Sequence, residues 1–543
     1  MNFILKKWPL RLDRFAFLWR HPWLWLLVYG AISYQQIVKI RYIGFNLIEA
    51  LLGKSLFNGW GYVFAPLDPP ALSRPMFAPF LCAIIERFVT HPVDVYRTLH
   101  VVALSSFLAS IFYLFKTIAG SKAGNLAALL LLTTPLFTKF PWATHHYASH
   151  LGLLSVLGWA ILATVVAWRG SSFGRFAVAG VLWGCAFLAR YEMILSFAVC
   201  WCVTGLYVWG KMPRLRAVKC LGVFAFVFLL FYLPKDVYYH QAAKAYDIVA
   251  DNAIYTYYTG EVHSKSGGTV ANGDNLGYVE SQQIYGSIES NKGSLLYLIW
   301  NHPQPVWRRF VQNLVVGTSL IFRSPTYFVG GVFIFLIGLL HPRSKRYRPF
   351  AALFLALHLS GFANYLFHID LRYLTPMCSF LFLLVALGMV SIVLDVAPAW
   401  GVKRRYSAYL LTAGVLFLSF QGTEYYSKDY LGSRQTEEGY AEIGSFLKTQ
   451  KLPSPPVVWV ELPEDIFLLQ PFFSYFADSA IAWHFTGPFP LNKMAALTEK
   501  NIEFIVLDEA GVKRHAELVG EKSLFEVRTS SFGLLSLLKA KVQ

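Results

Sequence analysis

Apolar residues in this chain gather in long runs, separated by segments that are either short and basic or long and mixed, and the runs predict helices before any single residue does. Eleven of them are long enough to enter a bilayer. They lie near 21 to 38, 97 to 116, 123 to 138, 147 to 168, 176 to 189, 192 to 210, 217 to 234, 326 to 341, 349 to 367, 375 to 396 and 407 to 422. From Thr423 the pattern changes to that of a water-exposed unit. Strand-like runs occur at Val457 to Val460, Ile481 to Phe485, Glu503 to Leu507 and Leu524 to Thr529, with helical periodicity near 436 to 449, 491 to 500 and 511 to 519. The pattern therefore predicts an α-helical polytopic membrane domain over 1–422, followed by a small extracytosolic α/β domain over 423–543.

Charge orients the helices. Basic residues collect in alternate segments: Lys6 to Arg20, Lys116 and Lys122, Arg169 and Arg175, Lys211 to Lys219, Arg343 to Arg348, and Lys403 to Arg405, with only Asp13 opposing them. Cationic side chains resist translocation, so the N-terminus and these segments are expected in the cytosol of a plasma (inner) membrane protein. The composition agrees, with 56% hydrophobic residues and a mean hydropathy of +0.46. The net charge of +17 is then an anchor at the anionic inner leaflet, and nucleic acid is not an expected partner. The chain starts basic and then apolar, like a signal peptide. It lacks a small-residue cleavage site, so the first span is expected to stay attached. All six cysteines fall in apolar stretches, which leaves no disulfide framework outside.

Three large segments are left on the outward side, 39–96, 235–325 and 423–543, and function is expected there. Ile43 to Leu56 has apolar positions at helical spacing around Glu49 and Lys54, which predicts a helix lying on the bilayer. Glycines and prolines from Gly59 to Pro75 break regular structure, and Met76 to Val89 then reads as a second interfacial or re-entrant helix. The second outward segment is polar and glycine-rich from Thr259 to Lys292 and ends in a further interfacial helix, Val306 to Ile321. No glycine-rich phosphate loop follows any strand.

Three short stretches carry a family resemblance. The first runs from Gly59-Trp60-Gly61-Tyr62-Val63-Phe64-Ala65-Pro66-Leu67-Asp68 to Ser73-Arg74-Pro75-Met76-Phe77. The others are Leu188-Ala189-Arg190-Tyr191-Glu192 and Arg372-Tyr373-Leu374-Thr375-Pro376. In order and placement they resemble the GT-C superfamily of integral-membrane glycosyltransferases, similar to its mannosyl- and arabinosyltransferase-like families, over nearly the whole chain. The resemblance implies transfer of a sugar from a polyprenyl-phosphate donor to a glycan, lipid or protein acceptor at the extracytosolic face. It implies no cofactor.

Such chemistry needs cations for the donor phosphate and a proton acceptor for the incoming nucleophile. Arg190 and Arg372 are the expected phosphate ligands, because guanidinium stays charged and binds two oxygens at once, with Glu192 and Asp370 placed to orient them. Ion pairs that merely hold a bundle together are the alternative.

The family's usual acid directly after the first span is missing, since Lys39-Ile40-Arg41-Tyr42-Ile43-Gly44 stands there. Glu49 and Asp68 are the carboxylates before Arg74 in this loop that could serve as base, with Glu192, Asp370, a neutral histidine or no base at all as the alternatives, and a solvated polar helix face as the plain reading of Glu49. Arg74, His145, His146 and Tyr147 complete the expected substrate contacts. His146 and His150 share a helical face at a spacing zinc can use, but no third ligand is evident, so no metal is assigned. A lipid or glycan flippase and a non-catalytic lipid-binding relative are the competing readings.

Overall fold

The computed structural model describes residues 47–61, 63, 75–89, 91–133, 148–170, 172–243, 283–287, 290–292, 294–323, 340–366, 375–401, 434–449, 456–461, 475–477, 483–486, 502–516, 525–529 and 535–540. Two short helices come first, α1 (Leu47–Phe57) and α2 (Phe77–Ile85). Then follow α3 (Pro92–Ala119), α4 (Ser121–Thr133), α5 (Ala148–Trp168), α6 (Phe173–Ala189), α7 (Met193–Trp209) and α8 (Arg214–Ala243). A pair, α9 (Leu295–Asn301) and α10 (Pro303–Arg323), precedes α11 (Arg348–Ser360) and α12 (Thr375–Ser391).

Among the described residues four helical stretches are long and apolar enough to cross a bilayer: Asp94–Ala119, His150–Trp168, Arg214–Val237 and Pro376–Ala399. Ser121–Leu132, Phe173–Ala189 and Met193–Trp209 are shorter and equally apolar in kind. The spans expected at 21–38 and 407–422 lie outside the described residues, as does 326–341 except for its last two positions.

Lipid offers no hydrogen bonds, so polar groups within such a bundle must find partners inside it. Trp183 Nε1 donates to Thr164 Oγ1 at 3.1 Å and Trp168 Nε1 to Thr204 Oγ1 at 3.1 Å. Trp159 Nε1 donates to Ser106 Oγ at 2.8 Å, and that hydroxyl passes its own proton to the Ser155 carbonyl at 2.6 Å. These ties stitch α3, α5, α6 and α7 together. The bundle has an inside and an outside. Its core stretch, Pro376–Ala399, is 89% buried, whereas Arg214–Val237 is only 28% buried and presents Phe226, Leu230 and Leu233 outward. The latter is the face expected to meet acyl chains.

A five-stranded sheet forms late in the chain from β1 (Val457–Glu461), β2 (Trp483–Thr486), β3 (Phe504–Asp508), β4 (Phe525–Thr529) and β5 (Leu535–Ala540), in the order β2-β1-β3-β5-β4. β1 pairs parallel with β2 and β3, while β5 lies antiparallel between β3 and β4. Four strands fall on the runs read from the sequence; β5 does not. The segment Leu-Ser-Leu-Leu-Lys-Ala is a short apolar run without a period of its own, and pairing on both edges makes it a strand. Helix α13 (Arg434–Thr449) packs beside this sheet, and α14 (Glu509–Arg514) follows β3 directly; the helix expected at 491–500 lies outside the described residues.

The sheet does not float free of the helices. Val458, Val460, Phe504, Val506 and Tyr475, with Ile443 and Leu447 of α13, share one apolar cluster with Ala50 and Leu51 of α1, Ala78 and Cys82 of α2, and Tyr96 and Leu99 of α3. Helix α1 is consequently buried around most of its circumference.

Candidate functional site at the sheet-bearing end of the bundle

The reversal between α6 and α7 uses only Arg190, Tyr191 and Glu192. Arg190 leaves the helix with an extended backbone, its N–H donating to the Ala186 carbonyl at 3.0 Å and its own carbonyl accepting from Met193 N–H at 3.0 Å. The residue is thus pinned on both sides and 9% exposed. Among the described residues, two groups hold its guanidinium. Nε pairs with Glu192 Oε1, and Nη1 donates to His150 Nε2 at the start of α5. That contact requires Nε2 to be unprotonated, so a neutral imidazole accepts from the arginine. A charge fixed by a carboxylate and an imidazole is pre-organised for an anion, because its rotamer freedom is already spent.

Helix α8 reaches the same corner along a ladder of contacts. A side chain at Gly180 would meet the Phe224 carbonyl and the Val227 Cβ at 2.9 Å, so the two helices touch backbone to backbone there. Gly184 faces Phe231, and the Phe187 ring lies 5.9 Å from Phe228 and 5.4 Å from Tyr232. On the last rung Lys235 Nζ sits 6.0 Å from the centre of the Tyr191 ring, with Lys235 only 6% exposed. The sequence reading had passed over Lys235 as the first residue of a loop. Its signal was present: a cation directly after Pro234 at the end of an apolar span.

A second corner contains Glu49. Its carboxylate is 2% exposed, so the plain reading of a solvated polar face does not hold for this residue. The amphipathic pattern implies a surface helix with one wet side; in the structure α1 is instead packed by α2, α3 and the sheet. Glu49 lies within electrostatic reach of Tyr96 on α3 and Cys82 on α2. Burial, together with the Glu86 and Glu49 carboxylates, holds the Cys82 thiol well above its ordinary range, so it is a packed neutral thiol and not a nucleophile. Lys54, on the same helix, donates to the Tyr475 carbonyl at 2.6 Å and stands 4.2 Å above the Tyr475 ring. Lys54 was read only as a polar position on an amphipathic helix, and no local signal names its partner.

The two corners share a wall. His150 belongs to the Arg190 corner, and the next residue, Leu151, belongs to the apolar cluster with Ala50, Tyr96 and Leu99. One residue further, Gly152 closes against Ala78 of α2, where a side chain would meet its Cβ at 3.0 Å. The first turn of α5 therefore joins the arginine to the helix pair that carries Glu49. The start of α12 lies at this end too. Ser196 in the first turn of α7 bonds Ser360 at 2.9 Å, and His358 Nδ1 donates to the Met377 carbonyl at 3.0 Å.

Beside these elements α9 and α10 leave an apolar pocket of about 500 Å³ lined by Ile299, Pro303, Val306, Trp307, Phe310 and Leu366. Asp68, Arg74, His145, His146, Tyr147, Asp370 and Arg372 lie outside the described residues. Among the described residues no three His, Cys, Asp or Glu side chains gather as a metal ion would need.

Comparison with known proteins bears on the fold and on one stretch of the chain. The fold is shared with proteins whose structures are solved. One is ArnT from Cupriavidus metallidurans bound to undecaprenyl phosphate, at 12% identity and TM-score 0.53, covering 96% of this chain and 99% of that one. Another is the archaeal oligosaccharyltransferase AglB from Archaeoglobus fulgidus in complex with an inhibitory peptide and a dolichol-phosphate, at 13% identity and TM-score 0.50, covering 98% and 75%. Residues 73–242 match the family described as Dolichyl-phosphate-mannose-protein mannosyltransferase. No curated protein matches the chain by sequence. The fold shared with these proteins agrees with the GT-C resemblance read from the sequence.

Proposed function

We propose that this protein is a glycosyltransferase that moves a sugar from a polyprenyl-phosphate donor to an acceptor at the extracytosolic membrane face. The observation that carries the reading is Arg190, buried at the sheet-bearing end of an apolar bundle and held by Glu192 and His150. A charged group inside an apolar bundle tends to mark a site, and a guanidinium oriented by a carboxylate can bind two phosphate oxygens through its planar fork. The phosphate of a lipid whose tail lies in the bilayer supplies such oxygens. The apolar pocket beside α10 suits a prenyl chain, and the related folds hold undecaprenyl phosphate in one case and dolichol-phosphate in the other.

In the proposed reaction an acceptor hydroxyl or amine attacks the anomeric carbon, and the bond from that carbon to the phosphate oxygen breaks. The electron pair stays on the phosphate, where Arg190 and Arg372 stabilise the growing charge. The acceptor's proton passes to a carboxylate, Glu49 or Asp68. Arg74, His145, His146, Tyr147 and Asp370 line the donor and acceptor. The membrane domain over 1–422 supplies this chemistry, and the extracytosolic unit over 423–543 covers it, with the N-terminus in the cytosol.

The test is transfer from a synthetic polyprenyl-phosphate sugar by the full chain in lipid nanodiscs, with Glu49→Gln and Asp68→Asn assayed separately. Loss of transfer in one of the two, with donor binding kept, is the expected result. Sugar-lipid flux across vesicles without any transfer would overturn the proposal in favour of a flippase.

A further inference from the structure

We infer that the α9–α10 hairpin is a membrane-surface dock, whose outer apolar row rests in the acyl layer of the bilayer while the polar row beside it meets the phospholipid headgroups. Such a dock does not depend on which reaction the site performs. Helix α10 has three faces. On the inner one Arg309 and Gly317 are buried, Phe310 and Leu314 pack on the main apolar core of the bundle, and Asn313 Nδ2 donates to the Tyr365 carbonyl at 2.8 Å. A side chain at Gly317 would run into the Tyr365 ring, so α10 is pressed against the short helical turn Gly361–Leu366. That turn begins directly after Ser360, which bonds Ser196 of α7. The hairpin is therefore seated on the end of the bundle that carries Arg190.

The other two faces are exposed and differ in chemistry. Trp307, Val311 and Val315 recur at every fourth residue, with Trp307 65% and Val315 64% exposed. Gln304, Arg308 and Gln312 repeat at the same step, about a quarter-turn away, and are exposed as well. Helix α9 adds Leu296 and Trp300, one turn apart, with Trp300 83% exposed. At 21 residues α10 has the length to cross a bilayer, yet it is not among the stretches apolar enough to do so. An apolar row beside a polar one suits a helix lying in the interface plane, and tryptophan is the residue favoured at that depth. The occupant follows from what the inner face touches. Because that face packs on the core of a membrane bundle, the surface continuous with the outer rows is the bilayer itself, and Arg308 can reach lipid phosphates from its edge. Trp307 also lines the apolar pocket, so seating its row in hydrocarbon sets the pocket rim at acyl level.

The test uses the full chain in nanodiscs of phosphatidylcholine and phosphatidylglycerol, with p-benzoylphenylalanine placed singly at Trp300, Val311 or Gln312 and then photolysed. Mass spectrometry of the cross-linked peptides should find phospholipid acyl adducts from the Trp300 and Val311 positions, and most of that yield should be lost at Gln312. Two lipid-facing positions on two helices guard against one variant that fails to fold. Adducts from Val311 to a second copy, or to another segment of the same chain, would show that protein covers the row, and the dock would be refuted. Equal lipid yields at Val311 and Gln312, or lipid adducts at neither, would refute it too. Sugar transfer is not the readout, so any of these failures leaves the proposed function standing.

Discussion

The Arg190 corner and the Glu49 corner are neighbours built in opposite ways. Every described contact of the arginine comes from residues 150 to 193, supplied by helices that adjoin one another in the bundle. The helix carrying Glu49 is tied through Lys54 to Tyr475, a residue 421 positions away. The first corner forms as soon as α5, α6, α7 and α8 pack. The second is complete only when the late-folding sheet docks, after a loop of most of the chain has been closed. The lesson is that the phosphate-binding and proton-accepting halves of the proposed site are separable. Damage to the sheet should reach the carboxylate and leave the cation intact.

The sharpest way to break this comparison is Arg190→Ala. It removes the group that Glu192 and His150 hold and takes from the Glu192 carboxylate its guanidinium partner. Transfer from a polyprenyl-phosphate sugar should fall by about a hundred- to a thousandfold, the range for removing one stabilising donor from a charged transition state. Measured initial rates within threefold of the parent would show that the arginine is only a bundle strut.

A smaller effect is expected from Lys54→Met, which severs both the hydrogen bond to the Tyr475 carbonyl and the contact with its ring. Here kcat should drop about tenfold while donor affinity holds, with Lys54→Arg largely restoring the rate. A rise in donor KM with unchanged kcat would mean that the two corners are not separable.

The least effect is expected at the far end of the bundle, where Arg346 donates to Asp395 at 2.9 Å beside buried Tyr347. The pair is half-open to solvent, so Asp395→Asn should cost under about 1 kcal/mol of stability in a melting experiment and leave transfer unaltered. A clear loss of activity there would mean that the two ends of the bundle are coupled.

Parts of this site were legible early. Arg190 and Glu192 sit in a five-residue stretch between two apolar runs, and the structure brings them together because a two-helix reversal leaves them nowhere else to go. His150 was visible as one of three histidines opening a span, though not as the partner of Arg190. Lys235 was hidden by the boundary itself. The hydropathy span ends at Pro234, whereas the helix continues to Ala243 and carries the lysine inward with it. The burial of Glu49 had no local trace, because its helix packs against α2, α3 and strands from the other end of the chain.

What the sequence determined alone is the solvent of each segment. A backbone in lipid must satisfy its own hydrogen bonds and wrap itself in apolar side chains, so long apolar runs and their basic flanks are written into composition and need no knowledge of partners. Which side chains meet was decided only by tertiary structure. Periodicity reports the face an element hides and never what it hides against. The close approach at Gly180 and Gly184, the strand pairing of β5 and the docking of Tyr475 on Lys54 each depend on two distant segments arriving together.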